Sequence, residues 1–491
     1  MSSSVAPANQ VQASAEGPNQ LSRSAWASLL VLCGALFLDA LDVSMVGVAL
    51  PSIRTDLHMS TSSLQWVVSA YVLGYGGFLL LGGRAADLLG RRRMFLVSLG
   101  VFLVASGLGG LATTGGMLIA TRFVKGISAA FTAPAGLSII TTTFPEGSAR
   151  NRALSVYTAT GATGFSVGLV FGGALSTAGW RYVFFVPVAV AAITLLGAVK
   201  FVPNTEGKAN LTQKFDVSGA VALTTAVLLL VFTVVEAPQV GWATGRTVGS
   251  FAGAIAILLG FVLHEQRVEA PLVRLGILRS SSLVRANFAA MALFGGWIGF
   301  QFIAMLYMQQ LRGWSPLHAG LSIFPAGVIV AVLAPRLQLL IERFGIPRLI
   351  IVGLASTVTA YSLFLPIGHG SSYAAAMLPT FLLAGLGFGL AYGPLNMAAT
   401  NGIAPHEQGL AGGLLNTSFQ FGGALVLAIV TAVNNAASKG GHTSTTLLHG
   451  FKTAIIVSVV AASIGVATSL LRRMGETGPD TVVEVRETQA A

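Results

Sequence analysis

Two carboxylates three residues apart, Asp39 and Asp42, stand near the middle of the first long apolar run, Trp26–Leu50. A carboxylate at membrane depth costs about 2.5–3.5 kcal/mol on insertion scales, which a helix that only anchors a protein has no reason to carry. At i, i+3 the pair falls on one helix face. Together they can look into a polar cavity as a proton, ion or substrate site; alternatively, each is satisfied by a hydroxyl or backbone group inside a bundle. A third charge, Arg122, lies inside the fourth apolar run. Asp42 is about 8 residues, or ~12 Å, from the outer end of its run, and Arg122 about 5 residues, or ~8 Å, from the outer end of a run of opposite direction. A buried guanidinium needs a partner, and carboxylate is the natural one. Arg122 is therefore expected to face Asp42, the alternative being a side chain that snorkels to the headgroups. Asp39, a turn deeper and farther from that cation, more readily holds a proton.

These charges are exceptional in their setting. Of 491 residues, 54% are hydrophobic and 9% charged, against about 25% charged in an average soluble domain. The 59 glycines suit helix packing in a membrane, which favours small residues. The single cysteine, Cys33, excludes an intramolecular disulfide and a cysteine metal cluster. Residues 1–25, rich in Ser, Ala, Asn and Gln, read as a disordered cytoplasmic tail without the basic and short apolar segments of a cleaved signal peptide.

Apolar stretches of about 20 residues, enough to cross ~30 Å of hydrocarbon, recur fourteen times. They lie near 26–49, 64–83, 94–113, 117–140, 153–175, 182–201, 216–235, 246–264, 286–308, 318–340, 349–367, 373–395, 409–433 and 453–471. The expected class is an all-α membrane protein. With the N-terminus inside, cytoplasmic segments and adjoining span ends hold 20 of the 28 Lys and Arg, external ones hold six, and Arg122 and Lys125 lie within the fourth span. That asymmetry is the positive-inside pattern, so the net charge of +11 reflects topology and nucleic-acid binding is excluded. Both termini are expected in the cytoplasm.

A weak internal duplication is visible. Gly83-Arg-Ala-Ala-Asp87-Leu-Leu-Gly90-Arg91-Arg92-Arg93 has a counterpart 255 residues on, where Glu342, Gly345 and Arg348 repeat the acid, glycine and terminal arginine at the same spacing. Two related six-span halves follow, 26–201 and 286–471, with a linker at 202–285 that carries two inserted spans, and a cytoplasmic tail at 472–491. Secondary transporters build a midplane site from such repeats.

These residues resemble the major facilitator superfamily, and within it the fourteen-span drug:proton antiporter branch. Gly83-x-x-x-Asp87-x-x-Gly90-Arg91-Arg92 is similar to the superfamily's loop signature, with Leu88 in place of the usual basic residue. Leu41-Asp42-Val43-Ser44-Met45-Val46-Gly47-Val48-Ala49-Leu50-Pro51 resembles the branch's first-span signature, with Gly47 for the usual Asn. Gln65-Trp66 and Tyr71 fit the second span, and Arg122-Phe-Val-Lys125-Gly126 resembles the fourth-span signature with Lys125 for the common Gln. Gly164, Gly168, Gly172 and Gly173 match the antiporter signature of the fifth span, although Leu169 replaces its proline. Read without the family, glycines four apart lay a flat stripe that lets another backbone approach.

The resemblance implies a proton-driven exporter of lipophilic or cationic small molecules such as antibiotics, working by alternating access in a bacterial plasma membrane. It implies no cofactor beyond the proton gradient, small-molecule substrate, protons and lipid as partners, and function as a monomer. Asp42, Asp39 and Arg122 would couple protons, Asp42 foremost, and Asp87 would latch the cytoplasmic gate against the start of the thirteenth span near His406–Gly412. Gln65, Tyr71, Gln301, Asn396 and Asn416 are candidate cavity residues, equally suited to interhelical hydrogen bonding. Phe300 and Tyr307 suit packing more than a cavity wall, and Glu236 is placed at the outer interface. A dedicated metabolite exporter, an uptake symporter and a membrane sensor are the alternatives. No phosphate-binding Gly-rich loop with Lys-Ser/Thr occurs, and the seven histidines form no triad or metal spacing, so an ATP-driven pump and an enzyme are disfavoured.

Overall fold

A computed structural model of the chain describes residues 23–144, 148–203, 216–268, 275–403, 408–438 and 443–471. Among these residues the regular structure is helical throughout. The first six helices are α1 (Arg23–Asp56), α2 (Thr61–Leu89), α3 (Arg91–Gly110), α4 (Gly115–Thr143), α5 (Ser148–Ala178) and α6 (Tyr182–Phe201). Two more follow, α7 (Val217–Val240) and α8 (Gly245–Glu265). Then come α9 (Ser281–Leu306), α10 (Pro316–Leu333), the short α11 (Leu337–Phe344), α12 (Ile346–Phe364), α13 (Leu378–Thr400), α14 (Gln408–Ser438) and α15 (Ser444–Leu470). Thirteen helical segments are long and apolar enough to cross a membrane, one of them running from α10 through α11. The 29-residue α2, packed against α4, α7 and α14, is the fourteenth long helix. The expectations for both tails fall on residues 1–22 and 472–491, outside those described.

Most helices overrun the apolar windows because their caps lie beyond the hydrocarbon. The last begins at Ser444 rather than near 453, where the Thr443 side chain accepts from the Thr446 amide and satisfies an end donor. Gly90, at φ +95°, makes the one-residue break between α2 and α3, and Gly345, at φ +77°, makes the equivalent break between α11 and α12. The duplicated loop glycines hold duplicated backbone conformations that suit glycine.

Packing repeats the duplication. α1 runs parallel to α5, with Gly164 against the Phe37 carbonyl, Gly168 against Leu41 and Ser44, and Gly172 against Met45. α9 and α14 do the same through Gly295 and Gly422. α2 lies parallel to α4 through Gly74, Gly82 and Gly126, as α10 lies to α13 through Gly385 and Gly389. The halves meet chiefly at two contacts, α5 with α10 and α2 with α14, with smaller ones from α1 to α9 and α10. At the first, Gly173 abuts Pro316 and Leu317, while Gly320 abuts the Leu169 carbonyl. At the second, Gly76 faces Gln420.

The two faces of the bundle differ. At the far face, one apolar core joins the halves, mixing Met45, Leu64 and Trp180 with Phe300, Ile323 and Phe381. Gln309 stitches the same region by donating to the Val48 carbonyl at 2.9 Å. Towards the tail face, where α1 begins and α15 ends, the cores are separate. One draws on α1 to α6 alone, the other on α9, α12, α13, α14 and α15 with the turn before α9.

The inserted α7–α8 pair flanks the α2–α14 contact, with Val231, Val234 and Val235 of α7 buried against Tyr71, Val72 and Ala424. At its tail-face end Asp216 caps α7, accepting from the Gly219 amide at 2.8 Å and lying 3.0 Å from His264 Nε2 of α8. Burial works against ionisation of Asp216, but the bonds from Gly219, His264 and Ser218 outweigh it and hold the carboxyl below the usual carboxylate range. At the far end Glu236 accepts from Trp66 Nε1 at 3.3 Å, tying α7 to α2.

The α1–α5 contact generates a testable asymmetry. A Cβ at Gly168 would sit 2.0 Å from Ser44 Oγ and 2.7 Å from the Leu41 carbonyl, whereas one at Gly100 meets nothing within 4 Å. Gly168→Ala is expected to cost about 1–3 kcal/mol from overpacking, while Gly100→Ala is neutral or stabilising. Thermal unfolding of the purified variants in detergent checks the contrast; equal melting temperatures would contradict the close contact.

Candidate functional site

The structure brings Asp42 and Arg122 together and adds a partner that sequence reasoning noted only as a departure. Asp42 is fully buried with both oxygens engaged by cations: Arg122 Nη1 donates to Oδ2 and Lys125 Nζ donates to Oδ1. Both cations rise from α4 at i, i+3, one face of one helix. Arg122 Nε donates to the Val67 carbonyl at 3.0 Å, and its guanidinium lies 4.5 Å from the centre of the Tyr71 ring. Lys125 Nζ also bonds Ser106 Oγ at 3.0 Å and stands 4.6 Å and 5.2 Å from the ring centres of Phe102 and Phe184. These are partners for an ammonium. A buried ion costs several kcal/mol unless paired and hydrogen-bonded, and here each ion is both.

Asp39 sits halfway along α1 and is treated differently. It accepts a hydrogen bond from the Tyr71 hydroxyl and, among the described residues, contacts no cation. It remains half-buried where Asp42 is fully enclosed. The two carboxylates therefore do not share one cavity. Three residues of helix separate their directions by about 60°, enough for Asp42 to meet α4 while Asp39 meets α2. Beside Asp39 is a cavity of about 20 Å³, between α1, α3, α4 and α5, lined by Asp39, Thr132 and Tyr157 among apolar neighbours. A single water fits such a space. Tyr75, Tyr157 and, from the other half, Tyr392 lie within electrostatic reach of Asp39. All three are half-buried. Sequence reasoning missed these tyrosines; the one available signal was Tyr75, a helical turn after Tyr71.

The other expected residues are spread more widely. Tyr71 is buried between Asp39 and Arg122. Gln65 is buried at 1% exposure, its Nε2 without a hydrogen-bond partner among the described residues, and Gln301 is buried against Gly47. Asn396 and Asn416 are half-buried, but their amides donate to the carbonyls of Tyr392 and Gly412 on their own helices. Phe300 stacks on Tyr361 at 4.7 Å and the Tyr307 hydroxyl donates to the Gly368 carbonyl, so both are packing residues. Next to them a continuous aromatic run crosses the seam between halves: Phe165, Trp297, Phe388, Tyr392 and Phe419. In the loop motif, Gly83 lies opposite Pro134, Arg91 donates to the Ser138 carbonyl at 3.5 Å and Arg92 to the Val199 carbonyl at 2.6 Å. The two arginines thus tie the start of α3 to α4 and α6. The Asp87 side chain and residues 404–407 lie outside those described.

The sequence profile of the Major Facilitator Superfamily matches residues 32–427. The chain belongs to the Major Facilitator Superfamily. Within this superfamily it is 33% identical over 479 residues to the cephamycin export protein CmcT of Amycolatopsis lactamdurans, covering 96% of this chain and 98% of that protein. It is 34% identical over 451 residues to the puromycin resistance protein pur8 of Streptomyces alboniger, covering 88% of each. Among solved structures, the nucleoside transporter NupG superposes with a TM-score of 0.63 at 12% identity, covering 92% of this chain and 99% of that one. That likeness confirms the superfamily's fold in an all-helical, multi-pass membrane protein.

The ion cluster should behave as a unit. Asp42→Asn strands two buried cations, an expected loss of about 3–5 kcal/mol. Adding Lys125→Met should recover part of that loss. Thermal unfolding of the singles and the double in detergent tests the coupling; simple addition of the losses would show the groups to be independent.

Proposed function

We propose that this protein is a proton-driven exporter of lipophilic or cationic small molecules, antibiotics among them, in a bacterial plasma membrane. The observation that carries the reading is the division between two carboxylates: Asp42 locked between cations, Asp39 half-buried beside a water-sized cavity with a neutral hydroxyl as partner. The named activities of CmcT and pur8, export of cephamycin and resistance to puromycin, support the direction of transport and the kind of substrate.

Orientation follows from charge. The tail face carries the excess of Lys and Arg and is assigned to the cytoplasm. The joined core then lies on the external side and the separated cores on the cytoplasmic side, where we place the entry route for substrate. In the proposed cycle Asp39 takes a proton when the external side is open. Reorientation brings it to the cytoplasmic side, where substrate entering the seam competes with that proton. Antiport requires only that the two ligands disfavour one another across the two-state change. Asp42, Arg122 and Lys125 hold α1 and α4 together through the cycle. Asp87 serves as the cytoplasmic latch, the transporter acts as a monomer, and the proton gradient is the sole energy source. Near full-length similarity to CmcT favours, as a second reading, a dedicated exporter of one metabolite.

Asp39→Asn tests the assignment, because asparagine keeps an acceptor for Tyr71 and removes the titratable group. The expected outcome in proteoliposomes is a folded protein without substrate-dependent proton movement. Full proton movement in that variant would remove Asp39 from the mechanism.

A further inference from the structure

Among the described residues at the centre of this half, four charges are close together: Asp39, Asp42, Arg122 and Lys125. With Asp39 ionised they sum to zero; with Asp39 protonated, to plus one. Lys125 sets that balance. Its ammonium takes the second oxygen of Asp42 and is fixed by Ser106 and two ring faces, so it is neither mobile nor solvent-exposed. The groups facing Asp39 from the elements around it are Asp42 on α1, Tyr71 and Tyr75 on α2, Arg122 and Lys125 on α4, Tyr157 on α5 and Tyr392 on α13. None of these adds a carboxylate beyond Asp42, which is already committed.

We propose that Lys125 is a specificity-determining residue that limits the site to one positive charge at a time, a proton or a monovalent organic cation, and so rejects dications. The argument rests on the reading of Asp39 as the exchange site. A monocation beside ionised Asp39 reproduces the charge that a proton leaves there. A dication would leave plus two in a low-dielectric interior, where one excess charge at ~10 Å lowers binding by about tenfold or more. Neutralising Lys125 returns one unit of negative charge to Asp42 and makes room for the second positive charge.

Ethidium and propidium test this, since they share a planar aromatic cation and differ by one added charge. Fluorescence titration of the purified wild-type transporter is expected to show ethidium binding at least tenfold tighter than propidium, with about one proton released per ethidium in weak buffer. In Lys125→Gln the preference should fall to threefold or less; Lys125→Arg should keep the wild-type preference. Equal binding of the two dyes by the wild type, or an unchanged preference in Lys125→Gln, would overturn the proposal, as would failure of the wild type to bind either dye. The wild-type ratio and proton count stand even if the glutamine variant does not fold. Dye export without proton movement would instead refute the antiport reading while leaving the charge limit in place.

Discussion

An ion inside an apolar bundle must be paired, and the arrangement of the first half follows from that requirement. Asp42 is surrounded by two cations from one helix, a backbone carbonyl orients Arg122, and a serine and two rings complete the shell of Lys125. Side chains from α1, α3, α4 and α6 take part, so the cluster fixes how those helices face one another. Removing Asp42 strands both cations. Such a group is a poor place for a proton to come and go. Asp39, one turn away, has the looser surroundings that exchange demands.

The duplicated half fills the same space by other means. Gly126 meets the Tyr71 carbonyl, and Gly385 meets the carbonyl of Ala326, 255 residues after Tyr71. Aligning Gly126 with Gly385 sets Arg122 against Phe381 and Lys125 against Ala384, and the 255-residue offset of the loop motif sets Ser106 against Tyr361. Phe381 and Tyr361 are fully buried and pack with Phe300, whose ring centre is 4.7 Å from Tyr361 and 6.1 Å from Phe381. One half thus carries charge where the other carries rings. The two cores satisfy the same packing demand, but only the first holds charged side chains at these positions.

The all-helical class, the duplication and the pairing of Asp42 with Arg122 were legible in the sequence, because hydropathy, loop motifs and depth along a helix are all one-dimensional quantities. The split between Asp39 and Asp42 was not. A spacing of three places two side chains on a common face, yet 60° decides between neighbours once other helices close in. Lys125 was visible as a departure from a family pattern, but its partner was not, since i, i+3 on α4 acquires meaning only when α1 lies across it. Asn396 and Asn416 read as cavity residues from polarity alone; their amides turn back on their own helices, which composition does not reveal. The tyrosines around Asp39 come from three helices in both halves, a convergence that sequence spacing does not encode.

The glycine contacts of α5 have a mechanical consequence. One edge of this helix rests on α1 through Gly164, Gly168 and Gly172; another edge, around Leu169 and Gly173, rests on α10 of the opposite half. This helix therefore lies between α1 and the other half along much of its length, while α1 touches α9 and α10 directly towards the far face. Where Gly173 and Gly320 meet backbone, there are no interdigitating side chains to be lifted past one another. Such a smooth bearing offers little resistance to small tilts of α5 on α10.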